Sequence, residues 1–468
     1  MSARSLTAVL MAATALAGCT LAPRYERPAL PVPQAWTAPA DTSASGADLA
    51  WRDVFPDARL QSVIQLALEQ NRDLRVAVAN IEQARAQYRV QRADLLPRIN
   101  ATGTYTRSSQ PAGAAIPGQT GKFELDQYNV SAGFSAYELD LFGRVRSLSA
   151  AALQSFFATE ENRRAAQISL ISEVATAYLT LAADQELLAI TQDTLASRDA
   201  GLELNRKRFE AGATSELELR QAQTLAEQAR SDAATANAQV DRDLNALRLL
   251  VGADVPADLL PKGELASVAQ PADVPAGLPS DVLVRRPDVR AAEHTLQARN
   301  ANIGAARAAF FPRISLTGSE GSVSPDLDKL FTAGTRTWSF TPQIVLPIFA
   351  GGANIANLKG AEAQRDAAVA TYEKSVQTAF REVSDALAVR ATINDRVGAQ
   401  ERLVEAATAT QRLTQARYDR GVDSNLSLLD AQRTLYAARQ TLLAARLAQA
   451  ANRVELYRAL GGGAPADR

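Results

Sequence analysis

The chain repeats itself, and this constrains its fold more than any other feature of the 468 residues. Ala93-Asp94-Leu95-Leu96-Pro97-Arg98-Ile99 returns as Ala308-Ala309-Phe310-Phe311-Pro312-Arg313-Ile314, in both cases where a helical pattern gives way to alternation. Arg208 to Gln223 (RFEAGATSELELRQAQ) returns as Arg417 to Gln432 (RYDRGVDSNLSLLDAQ), and the register survives without a gap to Leu247–Gly252 against Leu456–Gly461. Chance likeness between Ala-rich helices would match composition without holding gaps and Gly positions fixed. Each half therefore reads as a helix, two strands, a very long helix, a Gly-containing turn and another helix.

The long helices follow from apolar spacing. No Pro occurs from Arg146 to Glu210, where Ile168, Ile171, Ala175, Tyr178 and Ala182 form one seam. Leu170, Val174, Ala177, Leu181 and Leu188 form a second, and two seams mean two neighbours. From Ala353 to Arg420 the matching seam is Val369, Tyr372, Val376, Ala379, Val383 and Ala386. A helix of about 65 residues is on the order of 100 Å long, several times the thickness of a bilayer.

Four segments alternate with a period of two instead. They contain Ile99, Ala101, Gly103 and Tyr105; Tyr128, Val130, Ala132, Phe134 and Ala136; Ile314, Leu316 and Gly318; and Trp338, Phe340, Ile344 and Leu346, with Thr, Ser, Asn, Gln or Gly between them. The signal segment aside, there is no run of about 18 apolar residues, so a membrane span would have to be a β-barrel. Four strands cannot close one, since membrane barrels begin at about eight, and several chains would have to share it. The alternative is a soluble β-subdomain with one wet face.

Composition narrows the function. The 50 Lys and Arg nearly cancel the 51 Asp and Glu, leaving no basic surplus for nucleic acid. The single Cys and the single His give too few soft ligands for a structural zinc site. No cofactor is expected beyond covalent lipid.

That Cys closes the N-terminal segment. Arg4, the apolar stretch Leu6 to Leu16 and Leu16-Ala17-Gly18-Cys19 make a secretion signal too short to stay in a bilayer. Its last four residues resemble the bacterial lipobox, which implies cleavage before Cys19 and acylation of that residue. Thr20 follows, where an Asp would imply retention in the inner membrane. Pro23, Pro28, Pro31, Pro33 and Pro39 then keep the chain extended. The expected layout is a signal peptide at 1–18, a lipidated Pro-rich tether at 19–50, a first repeat at 51–252, a linker at 253–278, a second repeat at 279–461 and a tail at 462–468.

Four stretches carry a family resemblance. Trp51 to Leu74 (WRDVFPDARLQSVIQLALEQNRDL), Glu138 to Arg146 (ELDLFGRVR), Leu278 to Glu293 (LPSDVLVRRPDVRAAE) and Gly421 to Gln432 (GVDSNLSLLDAQ) resemble the TolC family of outer-membrane factors, in its OprM-like lipoprotein branch. The resemblance implies a mixed α and β fold. Four strands per chain join into a twelve-stranded membrane β-barrel in a homotrimer, continuous with a long periplasmic α-helical barrel built from the two repeats. It also implies a passive duct in the outer membrane that reaches into the periplasm. Its partners would be a periplasmic adaptor, an inner-membrane pump and outer-membrane lipid, and its cargo drugs and other toxic small molecules.

The two Gly turns are helix stops on physical grounds, because a left-handed Gly ends a helix without a Cβ clash. The resemblance adds roles: Gly212 and Gly421 mark turns that dock the adaptor, and Glu218 and Tyr418 sit near positions that tie neighbouring tips together. Asp423 departs from that pattern, since a basic residue is expected there. Leu426 and Asp430, four residues apart and so on one helix face, match the periplasmic gate. Three copies would set a ring of Leu over a ring of carboxylates that repel one another or recruit a cation.

Other clusters read as structure. Arg286-Pro287-Asp288 is a helix start with its acid placed on the dipole, His294 has no second His or Cys beside it, and Gly351-Gly352 permits a sharp turn. Two further function classes stand beside the channel. A lipid-anchored helical adaptor is disfavoured by the four strands, and a periplasmic hydrolase by the lack of a nucleophile beside a base. Within the family, cation efflux and protein secretion are alternatives to drug export.

Overall fold

The computed structural model describes residues 20–33, 36, 50–111, 121–272 and 280–463. The signal peptide at 1–18, Cys19 and the tail beyond 463 lie outside the described residues.

Each half follows one order of elements. The first begins with α1 (Trp51–Val54), α2 (Ala58–Gln70) and α3 (Arg72–Ala93), continues through strands β1 (Ile99–Pro111) and β2 (Lys122–Leu139), and ends with α4 (Arg144–Glu210) and α5 (Glu216–Val251). The second runs α6 (Pro287–Ala308), β3 (Arg313–Ser324), β4 (Arg336–Val345), α7 (Ala353–Asp419) and α8 (Asn425–Ala459). The two long helices, α4 and α7, are each 67 residues. Pro97 and Pro312, which cannot continue a helix, fall between helix and strand in both halves. At the opposite junction Gly351 and Gly352 turn the chain from β4 into α7 with φ of 57° and 83°, the left-handed conformation that a Cβ opposes.

By contact the chain forms two compact units. One contains Asn80–Glu160 and Ala291–Tyr372 together with the first described residues; the other contains Leu30–Ala79, Glu161–Arg290 and the segment from Glu373 onward.

The first unit holds an antiparallel sheet of order β1-β2-β3-β4. Its register gathers the alternation onto two faces. Ile99 opposes Phe134, Ala101 opposes Ala132, and Tyr105 opposes Tyr128. Phe134 lies across from Gly318, Gly318 from Phe340, and Ile314 from Ile344. These define an apolar face, interrupted by the Arg336–Glu320 ion pair. The other face is hydroxyl-rich, with Thr102 bonded to Ser131 at 3.1 Å and Ser319 to Ser339 at 2.9 Å. Gly133 opposes Ser319 and Gly321 opposes Ser131. A Cβ on either Gly would lie 2.2 Å from a carbonyl oxygen of the facing strand, so a larger residue would force the strands apart.

The alternation fails at one point. Ala136, placed by spacing on the apolar face, sits in a β-bulge with φ of 52°, the one non-Gly residue with positive φ among those described. Its N–H donates to Thr317 Oγ1 at 3.1 Å. The extra residue brings Tyr137 opposite Leu316, where its hydroxyl donates to Leu95 O at 3.1 Å. Leu346 also lies just past the end of β4.

The segment after Cys19 is extended, as its prolines require, but its first residues are docked rather than loose. Asn300 Nδ2 donates to Pro23 O at 2.7 Å and Arg307 to Leu21 O at 3.3 Å. Arg27 grips Glu293 with two bonds of 2.8 and 2.9 Å, and Tyr25 donates to the same carboxylate at 2.9 Å. At Gly304 a Cβ would lie 2.7 Å from Ala22 N, so only Gly leaves room for this strap against α6.

The second unit is helical. Along α4 both predicted seams are used: Leu170, Ile171, Val174, Ala175, Tyr178, Leu181 and Ala182 are all buried, forming one broad face. An 18-residue stretch of α4 reaches a mean hydropathy of 1.2, enough by composition for a membrane span, although spacing alone shows no such run. Half of it is buried inside the protein, so helix packing accounts for its apolarity. Arg286 is buried just before α6; it makes two bonds to Asp288, at 3.0 and 2.7 Å, one of 2.8 Å to Glu382 and one of 2.6 Å to Ala459 O. The helix-start reading of Arg286-Pro287-Asp288 is thus right but incomplete. Back in the first unit, His294 pairs with Gln154 Oε1 at 2.7 Å and lies against Phe157.

Candidate gate at the paired helical turns

The two turns share one backbone solution. In the first, Gly212 has φ of 70°, its N–H reaches Phe209 O at 2.9 Å, and Ala213 N–H reaches back to Arg208 O at 2.7 Å. In the second, Gly421 has φ of 72°, with Gly421 N–H to Tyr418 O and Val422 N–H to Arg417 O both at 2.9 Å. This is the helix-ending motif that satisfies the last carbonyls through a left-handed Gly. A serine then starts each following helix: Ser215 Oγ accepts from Glu218 N–H at 3.3 Å and Ser424 Oγ from Ser427 N–H at 3.2 Å.

The side chains at the turns bond one another. Glu218 accepts from Thr214 Oγ1. Tyr418, half-buried, accepts from Arg208 Nη1 at 2.6 Å, and the same guanidinium lies over its ring at 5.4 Å. One cation thus joins the two turns. Asp423 takes two bonds from Arg417, at 2.7 and 2.9 Å, and this partner holds its carboxyl below the ordinary range. Arg417 lies six residues away, so the basic group that Asp423 needs comes from its own hairpin.

Leu426 and Asp430 lie on one exposed face of α8. Leu426 is 56% exposed, while the next leucine along, Leu428, is buried. The Asp430 side chain is 69% exposed and pairs with Arg433 at 2.7 Å. Within a single chain this carboxylate is therefore partnered along its own helix.

Two groups were not singled out by spacing, one at the turns and one far along the same helices from them. Arg208 shares its place with Arg417 in the repeat, which is a usable signal, but nothing in sequence says that it crosses to Tyr418. Asp184 on α4 hydrogen-bonds Asp243 on α5; burial, then that bond and the charge of Asp243, push its carboxyl up to about 7. Asp243 Oδ1 also accepts from Gln239 at 2.8 Å. A lone Asp in each of two separate helices carries no such signal.

A sheet with an apolar face and a hydroxyl-rich face, joined in one chain to helices several times longer than a bilayer is thick, defines a class: a membrane channel subunit of the outer-membrane type, with a helical extension. The family model for outer membrane efflux proteins matches the chain twice, at residues 63–253 and 278–462. The chain is 48% identical over 466 residues to the antibiotic efflux pump outer membrane protein ArpC of Pseudomonas putida, covering 98% of this chain and 96% of that protein. The toluene efflux pump outer membrane protein TtgC of the same species gives the same figures. The crystal structure of the open state of the Neisseria gonorrhoeae outer membrane channel MtrE superposes with a TM-score of 0.85 at 42% identity, covering 95% of this chain and 98% of that one. The chain belongs to the outer membrane efflux protein family. It is an outer-membrane efflux channel, in a family of channels and not of enzymes, and the expectations of fold, function and location are met at that level.

Proposed function

We propose that three copies of the chain form one passive duct, pooling twelve strands into a barrel in the outer membrane and their long helices into a periplasmic tube. The observation that carries this reading is the state of the sheet. Among the described residues both of its edges, β1 and β4, lack a strand partner on one side, and every residue of β4 is exposed, Trp338 at 78%. Open edges and a wet aromatic face are both costly in isolation. Pairing β1 of one copy with β4 of the next removes every edge, turns the apolar face to lipid and leaves hydroxyls lining the lumen.

The remaining assignments rest on this assembly. Cys19 carries the lipid that holds the chain to the membrane, and the strap docked on α6 sets where that anchor lies. The turns at Gly212 and Gly421, with Glu218 and Tyr418, receive a periplasmic adaptor, which links the duct to an inner-membrane pump. Leu426 and Asp430 close the periplasmic end as stacked rings. The duct needs no cofactor. Its cargo is small apolar and amphiphilic toxicants, the class to which the antibiotics and toluene in the names of its relatives belong.

The deciding measurement is the native mass of the detergent-extracted protein. Three chains, each carrying the extra mass of acyl groups on Cys19, support the pooled barrel and the anchor together; one acylated chain removes the basis for a pore. Cargo is tested by growth of a deletion strain on antibiotics, aromatic solvents and metal salts. Lost tolerance to copper or silver alone would replace the multidrug reading with cation export.

A further inference from the structure

The two hairpins form a partly open cavity of about 250 Å³ beside the turns, between α4, α5, α7 and α8. Its walls include Ala222, Leu225, Leu428 and Leu429, and three polar side chains face it from buried positions. Arg198 is 8% exposed; its guanidinium donates to Gln432 Oε1, and among the described residues no carboxylate pairs with it. Asn205 is 6% exposed; its Nδ2 donates to Gly201 O at 2.9 Å, while its Oδ1 has no partner. Asn425 is 4% exposed, and its Nδ2 has no partner.

Each of these groups is costly as it stands. A buried cation without an anion loses its hydration uncompensated, and an unpaired buried amide atom costs about 1–3 kcal/mol. Burial, with Arg433 nearby, holds the Arg198 guanidinium below its ordinary range. The three requirements differ in kind. Arg198 calls for an anion; Asn425, about two helical turns from the Gln432 that holds Arg198, offers a donor, and Asn205 Oδ1 needs one. Between them the wall is aliphatic. The volume is below the roughly 300–1,000 Å³ of drug-sized sites, so the occupant is a single-ring compound.

We propose that this cavity is a binding site for a small hydroxylated organic acid: its carboxylate on Arg198, its hydroxyl donating to Asn205 Oδ1 at the level of Asn425, and its ring against Leu225, Leu428 and Leu429. The site spans both hairpins, so occupancy favours the hairpin packing described here over any arrangement that separates them. Leu426 and Asp430 do not line it, and the site stands apart from the gate assignment.

The test is calorimetric titration of the intact detergent-solubilised protein with 4-hydroxybenzoate, compared with benzoate and phenol. Saturable binding of one molecule per chain is expected. Benzoate should bind about fivefold more weakly for want of one hydrogen bond, and phenol, without charge, should not saturate. Arg198→Gln should weaken 4-hydroxybenzoate at least about tenfold, the loss of a charge-assisted bond. Because removing a buried cation could also disturb packing, Gly201→Leu is the second variant. A Cβ there meets no atom within 4 Å, so the new side chain is accommodated at its base while it occupies the cavity. With native mass and helical content unchanged, it should abolish binding. Absence of saturation in the wild type, or unchanged affinity in a folded Gly201→Leu protein, overturns the site.

Discussion

The two hairpins descend from one repeated unit, and their backbones still agree: both turns use a left-handed Gly at φ near 70° and a serine start. Their side chains do not agree. Where the second hairpin has Asp430, the first has Gln221 at the equivalent place; where the second has Asp423 held by Arg417, the first has Thr214 bonded to Glu218. Leu217 and Leu426 are equivalent, and both are exposed. The turn geometry is set by backbone physics common to both copies, while charge separates the proposed gate hairpin from the other.

The largest effect is expected from removing the charge. Asp430→Ala should raise leak conductance in planar bilayers several-fold, while Gln221→Ala should leave it unchanged; equal effects would end the assignment of the gate to the second hairpin. Next comes the shared backbone. Gly212→Ala and Gly421→Ala each force a Cβ into the left-handed region, at about 1–2 kcal/mol per site. Both should lower the thermal midpoint by similar amounts, and a large disparity would mean that the turns are not equivalent.

The third prediction concerns pH. With its carboxyl at about 7 in the folded protein, against an ordinary value near 3.9, Asp184 takes up a proton on folding between those pH values. Its contribution is fully present below about pH 4 and is lost as pH rises through 7. Asp184→Asn should therefore flatten the fall in thermal midpoint between pH 5 and 8, as calorimetry would show; a profile parallel to wild type would refute the shared proton. A smaller effect is expected from Tyr418→Phe, which deletes the hydroxyl that Arg208 reaches across to, at about 1 kcal/mol. Phe209→Tyr at the equivalent position of the other turn should change little, and urea midpoints of the two variants test this. The smallest belongs to Arg417→Ala, whose partnership with Asp423 is a surface pair weakened by solvent screening. Because Asp423 has a depressed pKa, that contribution is present above its unfolded value and vanishes as pH falls through the folded one. At acidic pH the variant and the wild type should converge.

The doubled layout, the four strands and the two long helices follow from local pattern alone, because hydrophobic period and Gly and Pro placement act over a few residues at a time. The seams from Leu170 to Ala182, the turns at Gly212 and Gly421 and the Leu426/Asp430 face were all legible for that reason. Only tertiary structure decided the rest. The bulge at Ala136 comes from pairing with β3, the strap on α6 from the missing Cβ of Gly304, and the reach of Arg208 to Tyr418 from bringing two hairpins side by side. Arg198, Asn205 and Asn425 are unremarkable polar residues in sequence, scattered over more than one helix. What makes them a candidate site is burial around a common cavity, and burial is a property of the packed chain, invisible to any local pattern.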